Sequence, residues 1–273
     1  MPRLAANLSM MFTEHAFLDR FAAAAEAGFR GVEYLFPYDF AAEDIAAALK
    51  ANGLTQALFN LPPGDWEAGE RGLACVPGRE AQVREGIDQG LAYAQALGCS
   101  QLHMMAGIVP ARSDPALVEM TYLSNLHHAA KKAAEYGVTI LIEPINPIDM
   151  PGYFLRSARQ AEDLIERLRA VAGESLVESV GIQLDLYHRQ MLEGRLADAL
   201  DDHLAQSPHI QIAGVPGRNE PDANGEVDWS WVLNSLDARG YMGWVGCEYR
   251  PRGQTQAGLD WAQPWLNRAE VSA

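Results

Sequence analysis

Four side chains with oxygen donors follow short apolar segments in the second half of the chain: Glu143, Asp185, Gln211 and Glu248. Each preceding segment has the alternating or continuous apolar pattern of a buried β-strand. Their spacing straddles the roughly 30 residues expected per unit when about 250 residues form eight β/α units. Because the carboxyl ends of barrel strands meet at one mouth, these four side chains are predicted to converge there.

Three carboxylates and one carboxamide are ligands that a hard divalent cation such as Mg²⁺ or Mn²⁺ prefers. Without a cation, the carboxylates would repel one another and at least one would take up a proton. The sequence therefore predicts a divalent metal site formed by Glu143, Asp185, Gln211 and Glu248. The alternative for each single residue is a structural role, as a helix cap or as the partner of an arginine.

A metal beside free carboxylates can support proton transfer between the adjacent carbons of an α-hydroxycarbonyl compound. Glu143 and Glu248 are predicted to flank such a substrate, because their strands lie three apart in a ring of eight. His188 is a candidate hydrogen-bond donor to a substrate oxygen, and Arg218 is a candidate receptor for a substrate carboxylate. The alternatives are a surface or capping role for His188 and pairing of Arg218 with acids in its own loop.

Strand-like and helix-like segments alternate along the chain, which predicts a parallel sheet with helices outside it. Two more polar strand ends, Asn7 and His103, are candidate substrate contacts, although His103 also suits a buried core position. Helices are predicted at 14–27 and 191–204, among others. The predicted strands are 3–8, 31–35, 54–60, 100–105, 138–142, 180–185, 209–213 and 244–247.

Eight such units in 273 residues predict a single-domain (β/α)8 TIM barrel spanning residues 1–273. The alternative, an open doubly wound sheet, lacks a G-x-G-x-x-G motif after the first strand. The segment 61–79 is longer than most loops, and its Trp66 and apolar residues favour an ordered lid over the site. A C-terminal tail from about residue 254 is predicted to carry the last helix.

Composition limits the partners of the chain. The formal charge of −15 argues against a nucleic-acid partner, although a local arginine can still bind a small anionic substrate. Three scattered cysteines are too few for a disulfide framework. No signal-peptide pattern and no long apolar run occur, so we expect no membrane association and a cytoplasmic location. The sequence is compatible with a homo-oligomer.

Several longer motifs resemble hydroxypyruvate isomerases, over about residues 5–259. They are A-A-N-L-S-M-M-F, V-E-Y-L-F-P-Y, P-G-D-W-E-A-G-E-R-G-L, H-M-M-A-G, I-E-P-I-N-P, I-Q-L-D-L-Y-H, H-I-Q-I-A-G-V-P-G-R-N-E-P-D and G-C-E-Y-R-P-R-G. The wider group of xylose-isomerase-like barrels also includes ketose 3-epimerases, inosose dehydratases and a class of apurinic endonucleases.

This resemblance implies conversion of hydroxypyruvate to tartronate semialdehyde, with Glu143 and Glu248 as paired proton donor and acceptor. It also implies that both glutamates bind the metal together with Asp185 and Gln211. Gln211 stands where similar epimerases carry histidine, which keeps the ligands all-oxygen and favours Mg²⁺ or Mn²⁺ over Zn²⁺. The Pro-Ile-Asn-Pro that follows Glu143 departs from the expected loop.

Four alternatives stay open: an isomerase of 2-oxotetronate, a ketose 3-epimerase, a metal-dependent nuclease acting at abasic DNA, and a barrel that has lost catalysis. The nuclease requires extra histidine ligands, where the strand ends carry Asn7, Glu33 and Asn60.

Overall fold

The computed structural model describes residues 2–266, in which eight parallel strands close into a barrel in chain order. Each strand pairs with its sequence neighbours, and β1 pairs with β8 to complete the ring. This confirms the predicted single-domain (β/α)8 architecture. The strands are β1 (Arg3–Asn7), β2 (Gly31–Tyr34), β3 (Thr55–Asn60), β4 (Gln101–His103), β5 (Thr139–Ile142), β6 (Val180–Asp185), β7 (His209–Ile212) and β8 (Trp244–Cys247).

Helices cover the outside of the barrel, and some of them begin or end at recognisable signals. The Asp114 side chain accepts a hydrogen bond from the Ala116 amide at the start of helix Pro115–Glu135, and the Ser157 side chain accepts one from the Gln160 amide at the start of helix Ala158–Ala172. Gly98 ends α3 in the left-handed conformation. The helices are α1 (Arg20–Glu26), α2 (Ala42–Asn52), α3 (Glu80–Leu97), α4 (Pro115–Glu135), α5 (Ala158–Ala172), α6 (Glu174–Val177), α7 (Leu186–Leu192), α8 (Leu196–His203), α9 (Trp229–Ala238) and α10 (Gln263–Leu266).

Two predicted helices differ from the structure. The one expected at 14–27 begins as a 3₁₀ turn at Phe17–Asp19, because the Glu14 carboxylate instead accepts hydrogen bonds from the backbone and hydroxyl of Thr255. The one expected at 191–204 is two helices, α7 and α8, separated at Gly194 and Arg195, both with positive φ. The tail forms two 3₁₀ turns and α10, and residues after 266 lie outside the described part.

The two ends of the barrel are filled differently. Trp244 of β8 packs with Ala5 and Ala57 at the amino-terminal end, and the guanidinium of Arg3 lies 4.4 Å from its ring centroid. At the other end the strands carry buried polar residues. Searching residues 2–266, we find no helix long and apolar enough to cross a membrane.

Gly246 of β8 shows how tightly the polar end is packed, because a Cβ at this position would overlap the carboxylate of Glu33 on β2. We expect Gly246→Ala to lower the free energy of unfolding by about 1–3 kcal/mol, the usual cost of overpacking. Urea unfolding measures this change. Gly253→Ala is the matched control, since a Cβ there has no neighbour within 4 Å, and equal stability of the two variants would contradict the expectation.

Candidate active site

The four predicted oxygen-donor residues lie together at the carboxyl ends of β5 to β8. Glu143 and Glu248 directly follow β5 and β8, Asp185 ends β6, and Gln211 lies in β7. All four are at most 5% exposed. Glu143, Asp185 and His188 offer ligand atoms that lie within 4.8 Å of one another. The site is therefore a buried acidic cluster at the mouth of the barrel.

The two carboxylate oxygens of Asp185 have different roles, one in capping a helix and the other in the acidic cluster. Its Oδ1 accepts hydrogen bonds from the backbone amides of Tyr187 at 2.7 Å and His188 at 3.3 Å, which caps α7. Its Oδ2 is buried, has no hydrogen-bond partner among the described residues and lies 3.6 Å from His188 Nε2. The capping role considered from the sequence is real, and it leaves the second oxygen facing the cluster. His188 lies inside α7, not in a loop.

Arg218, in the loop after β7, is the counter-charge of this cluster. Its Nη2 lies 2.6 Å from Glu248 Oε2 and 3.5 Å from Asp185 Oδ2. Its Nη1 lies 3.9 Å from Asp149 Oδ2. The guanidinium also stacks over Tyr187, 4.9 Å from the ring centroid. Pairing with Glu220 or Asp222 does not occur, because Arg252 binds both.

Burial shifts the pKa values of the three carboxyls upward. Loss of hydration, followed by the charges of Glu248 and Asp185, raises the pKa of Glu143 well above its ordinary value. Burial likewise raises the pKa of Asp185 and raises that of Glu248 to about 8, although Arg218 opposes both shifts. If all three carboxyls were ionised, they and the Arg218 guanidinium would together carry a formal charge of −2, which one divalent cation would neutralise.

Burial favours the neutral form of the two histidines of the site. Burial lowers the pKa of His103 to about 3 and lowers that of His188 well below its ordinary value. His103 Nδ1 lies 3.2 Å from Asn60 Oδ1 and 3.5 Å from Glu143 Oε2. Its Nε2 is buried and has no hydrogen-bond partner in the described part of the chain. His103 therefore contacts a cluster residue instead of belonging to the apolar core.

A ladder of polar side chains crosses the barrel interior below the carboxylates. Gln183 donates to Gln211 Oε1 at 2.6 Å, and Gln211 Nε2 donates to Glu33 Oε1 at 2.8 Å. Glu33 also binds His209 at 2.6 Å and accepts from Asn7 at 2.9 Å. This polar ladder holds Gln211 by two hydrogen bonds and leaves its carbonyl oxygen a second lone pair.

Asn7 links the polar ladder to the acidic cluster, since its Nδ2 lies 3.5 Å from Glu248 Oε1. Gln183 and His209 were missed in the sequence analysis. The signal was available, because each precedes a predicted ligand by two residues on its strand and therefore faces the same side of the sheet. Asn146, which binds His188, was also missed, although its loop had been noted as unusual.

The donor set fits a divalent cation. Within residues 2–266, Glu143 Oε1 and Asp185 Oδ2 are buried oxygens without hydrogen-bond partners, which is costly unless a ligand satisfies them. The excess negative charge at the mouth points the same way. These residues could therefore hold a metal ion.

The segment 61–79 forms no helix or strand, and contacts along it keep it ordered. Trp66 packs against Phe36, with ring centroids 5.1 Å apart, and the guanidinium of Arg71 lies 3.8 Å from its ring centroid. The Cys75 amide donates to the carbonyl of Ala106, in the loop after β4. The segment therefore lies over the β2–β4 side of the mouth, while its role as a lid stays a prediction.

Comparison with known proteins gives three consistent likenesses. The family model described as xylose isomerase-like TIM barrel matches residues 21–267. The 2-oxo-tetronate isomerase of Cupriavidus necator is 55% identical, and the alignment covers 98% of this chain and all of that protein. The hydroxypyruvate isomerase of Escherichia coli is 42% identical, over 97% of this chain and all of that protein.

A solved structure described as an AP endonuclease, family 2, from Brucella melitensis is 49% identical and superposes with a TM-score of 0.92. The alignment covers 97% of this chain and 99% of that one. Proteins described as isomerases and a protein described as an endonuclease are thus both similar to this chain over nearly its full length.

The raised pKa of Glu143 has a consequence for stability. A carboxyl whose pKa is higher in the folded than in the unfolded state costs stability as pH rises above the unfolded-state value. With a chelator present, we expect Glu143→Gln to melt about 2–4 °C above the wild type at pH 8, the shift that ~1 kcal/mol produces in a domain of similar size. The gain should shrink at pH 5.

Differential scanning calorimetry at the two pH values measures this effect. Glu67→Gln, on the exposed part of segment 61–79, is the control and should leave the melting temperature unchanged. A destabilised Glu143→Gln protein at pH 8 would show that the ionised carboxylate contributes to stability.

Proposed function

Because the chain belongs to the xylose isomerase-like TIM barrel family, we propose that it is a metal-assisted aldose–ketose isomerase of a short hydroxy-oxo acid. The relatives at 55% and 42% identity carry names of sugar-acid isomerases. The observation that carries the proposal is the pair Glu143 and Glu248, two buried carboxyls on separate strands of one mouth with different partners.

We propose that Glu143, Asp185, Gln211 and Glu248 hold the cation. Their donors are all oxygens, which favours Mg²⁺ or Mn²⁺. A bound cation would supply positive charge that favours an enediolate form of the substrate and would offset the negative charge of the carboxyl cluster.

Glu143 and Glu248 supply the two proton-transfer positions of the reaction. One carboxylate removes the proton from the carbon that carries the hydroxyl group, and the other carboxyl delivers a proton to the neighbouring carbon. The hydroxyl proton moves to the former carbonyl oxygen, so carbonyl and hydroxyl exchange places without a net change in composition. Arg218 holds Glu248 in place, whereas Glu143 Oε1 has no hydrogen-bond partner among residues 2–266, so the environments of the two carboxyls differ.

Three further residues supply substrate contacts in this proposal. Arg218 Nη1 has no hydrogen-bond acceptor within the described chain and is free to bind the substrate carboxylate. His188 and His103 face the cluster as neutral imidazoles and are suited to bind substrate oxygens. Asn7, beside Glu248, is a fourth candidate.

The substrate follows from the relatives. Hydroxypyruvate, implied by the sequence resemblance, and 2-oxotetronate undergo the same exchange and differ by one carbon. The name of the relative at 55% identity favours the four-carbon acid, which we propose ahead of hydroxypyruvate. A nuclease is the weaker hypothesis because a charge of −15 opposes a phosphate backbone. Incision of abasic DNA by the purified protein would reverse that order.

Glu143→Gln and Glu248→Gln should each lower kcat at least about 10²-fold, since each removes one proton-transfer group and retains its shape. The assay is incorporation of solvent deuterium into 2-oxotetronate and hydroxypyruvate, with and without a chelator. Glu226→Gln, in the loop before α9, is the control. Near-normal turnover by either site variant would refute the two-carboxyl mechanism.

Arg218→Lys keeps the positive charge beside Glu248 but loses the forked geometry that suits a carboxylate. We expect KM to rise about 10-fold or more for 2-oxotetronate and to change less for an uncharged ketose such as erythrulose. Steady-state kinetics on the two compounds measures this difference. An equal rise in KM for both compounds would show that Arg218 compensates the charge of the cluster and does not bind the substrate carboxylate.

A further inference from the structure

We propose that Asn146 fixes the ring proton of His188 on Nε2, so that His188 donates a hydrogen bond to substrate and does not ligate the metal. This assignment deepens the proposed function and rests on it for the identity of the acceptor. Asn146 lies in the loop between β5 and α5, is 1% exposed, and is the third residue after Glu143.

The orientation of the Asn146 amide is set by the backbone. Its Oδ1 accepts hydrogen bonds from the amides of Ile148 at 3.0 Å and Asp149 at 2.9 Å. Backbone N–H groups can only donate, so this atom is the oxygen and the opposite atom is the nitrogen. Two independent backbone contacts thus exclude the flipped amide.

The nitrogen then has one hydrogen for each of two acceptors. Nδ2 lies 2.7 Å from His188 Nδ1 and 3.2 Å from Asp149 Oδ2. Asp149 Oδ2 also accepts from the Tyr187 hydroxyl at 2.9 Å, which anchors that side of the amide. Because the amide can only donate here, His188 Nδ1 must accept and carries no proton.

A ring without a proton on Nδ1 is neutral and carries its single proton on Nε2. This nitrogen faces the cluster, 3.6 Å from Asp185 Oδ2 and 3.8 Å from Glu143 Oε1. A protonated Nε2 has no lone pair for a cation, but it can donate to an oxygen of substrate or carboxylate. His188 is close enough to Glu143 and Asp185 to be a metal ligand. The hydrogen bond from Asn146 excludes that role, because it keeps the proton on Nε2.

The first test is the tautomer of His188 in the wild-type enzyme with Mg²⁺, read from two-bond ¹H–¹⁵N correlations of the imidazole ring. The expected result is the Nε2-protonated form, with or without Mg²⁺. A ring protonated on Nδ1, or a transfer of the proton to Nδ1 when Mg²⁺ is added, would overturn the proposal.

The second test replaces the donor. Asn146→Asp presents a carboxylate oxygen to Nδ1, which should move the proton to Nδ1 and lower kcat/KM about 10- to 100-fold, as loss of an orienting partner does. Asn234→Asp adds the same charge on the exposed face of α9 and should change neither the tautomer nor the rate. An unchanged rate in a variant whose tautomer has reversed would overturn the role of the Nε2 proton.

The third test separates donor from ligand by calorimetric titration with Mg²⁺. His188→Gln should change the Mg²⁺ dissociation constant less than about threefold, whereas a large loss of affinity would show that His188 is a ligand. If the wild type isomerises none of the acids, the proposed function fails, while the tautomer and Mg²⁺ titrations still decide this inference.

Discussion

Charge compensation at the buried mouth of the barrel is the constraint on which the site depends. Glu143, Asp185 and Glu248 are nearly excluded from solvent, and the guanidinium of Arg218 is the cation that contacts the last two of them. Holding Arg218 there requires a backbone φ of 53°, in the left-handed region that a side chain with a Cβ disfavours by roughly 1–2 kcal/mol. Backbone hydrogen bonds within the loop offset this strain, including one from the Arg218 amide to the Gly214 carbonyl.

The polar ladder gives the cluster a rigid base. A barrel interior is normally filled by layers of branched apolar side chains, whereas Gln183, Gln211, Glu33 and His209 occupy interior positions of this barrel below the carboxylates. Gln183 donates to Gln211, and Gln211 donates to Glu33, so all the hydrogen bonds of this chain point in one direction and end on the Glu33 carboxylate. The carbonyl of Gln211 is thereby oriented before any ligand arrives, which reduces the reorganisation that binding would require.

The sequence was sufficient to predict the barrel and the position of its four oxygen donors. Strand periodicity and the spacing of polar strand ends depend on local order along the chain, which a single sequence displays. The partners that lie in loops could not be predicted, because their positions depend on loop conformation. Arg218 could not be assigned to Glu248 before its left-handed backbone was known, and Asn146 could not be assigned to His188 before the turn at Asp149 was seen.

Asp185 shows why a site of this kind is coupled to the stability of its fold. One carboxylate oxygen caps α7, the helix that carries His188, while the other oxygen faces the cluster. A cap is worth about 0.5–2 kcal/mol, so the same residue contributes to the fold through Oδ1 and opposes it through the burial of Oδ2. Because Asp185 caps α7 through its side chain, the first turn of this helix positions the Asp185 carboxylate and the His188 ring together. The 3.6 Å between Asp185 Oδ2 and His188 Nε2 is therefore set by a single turn of helix.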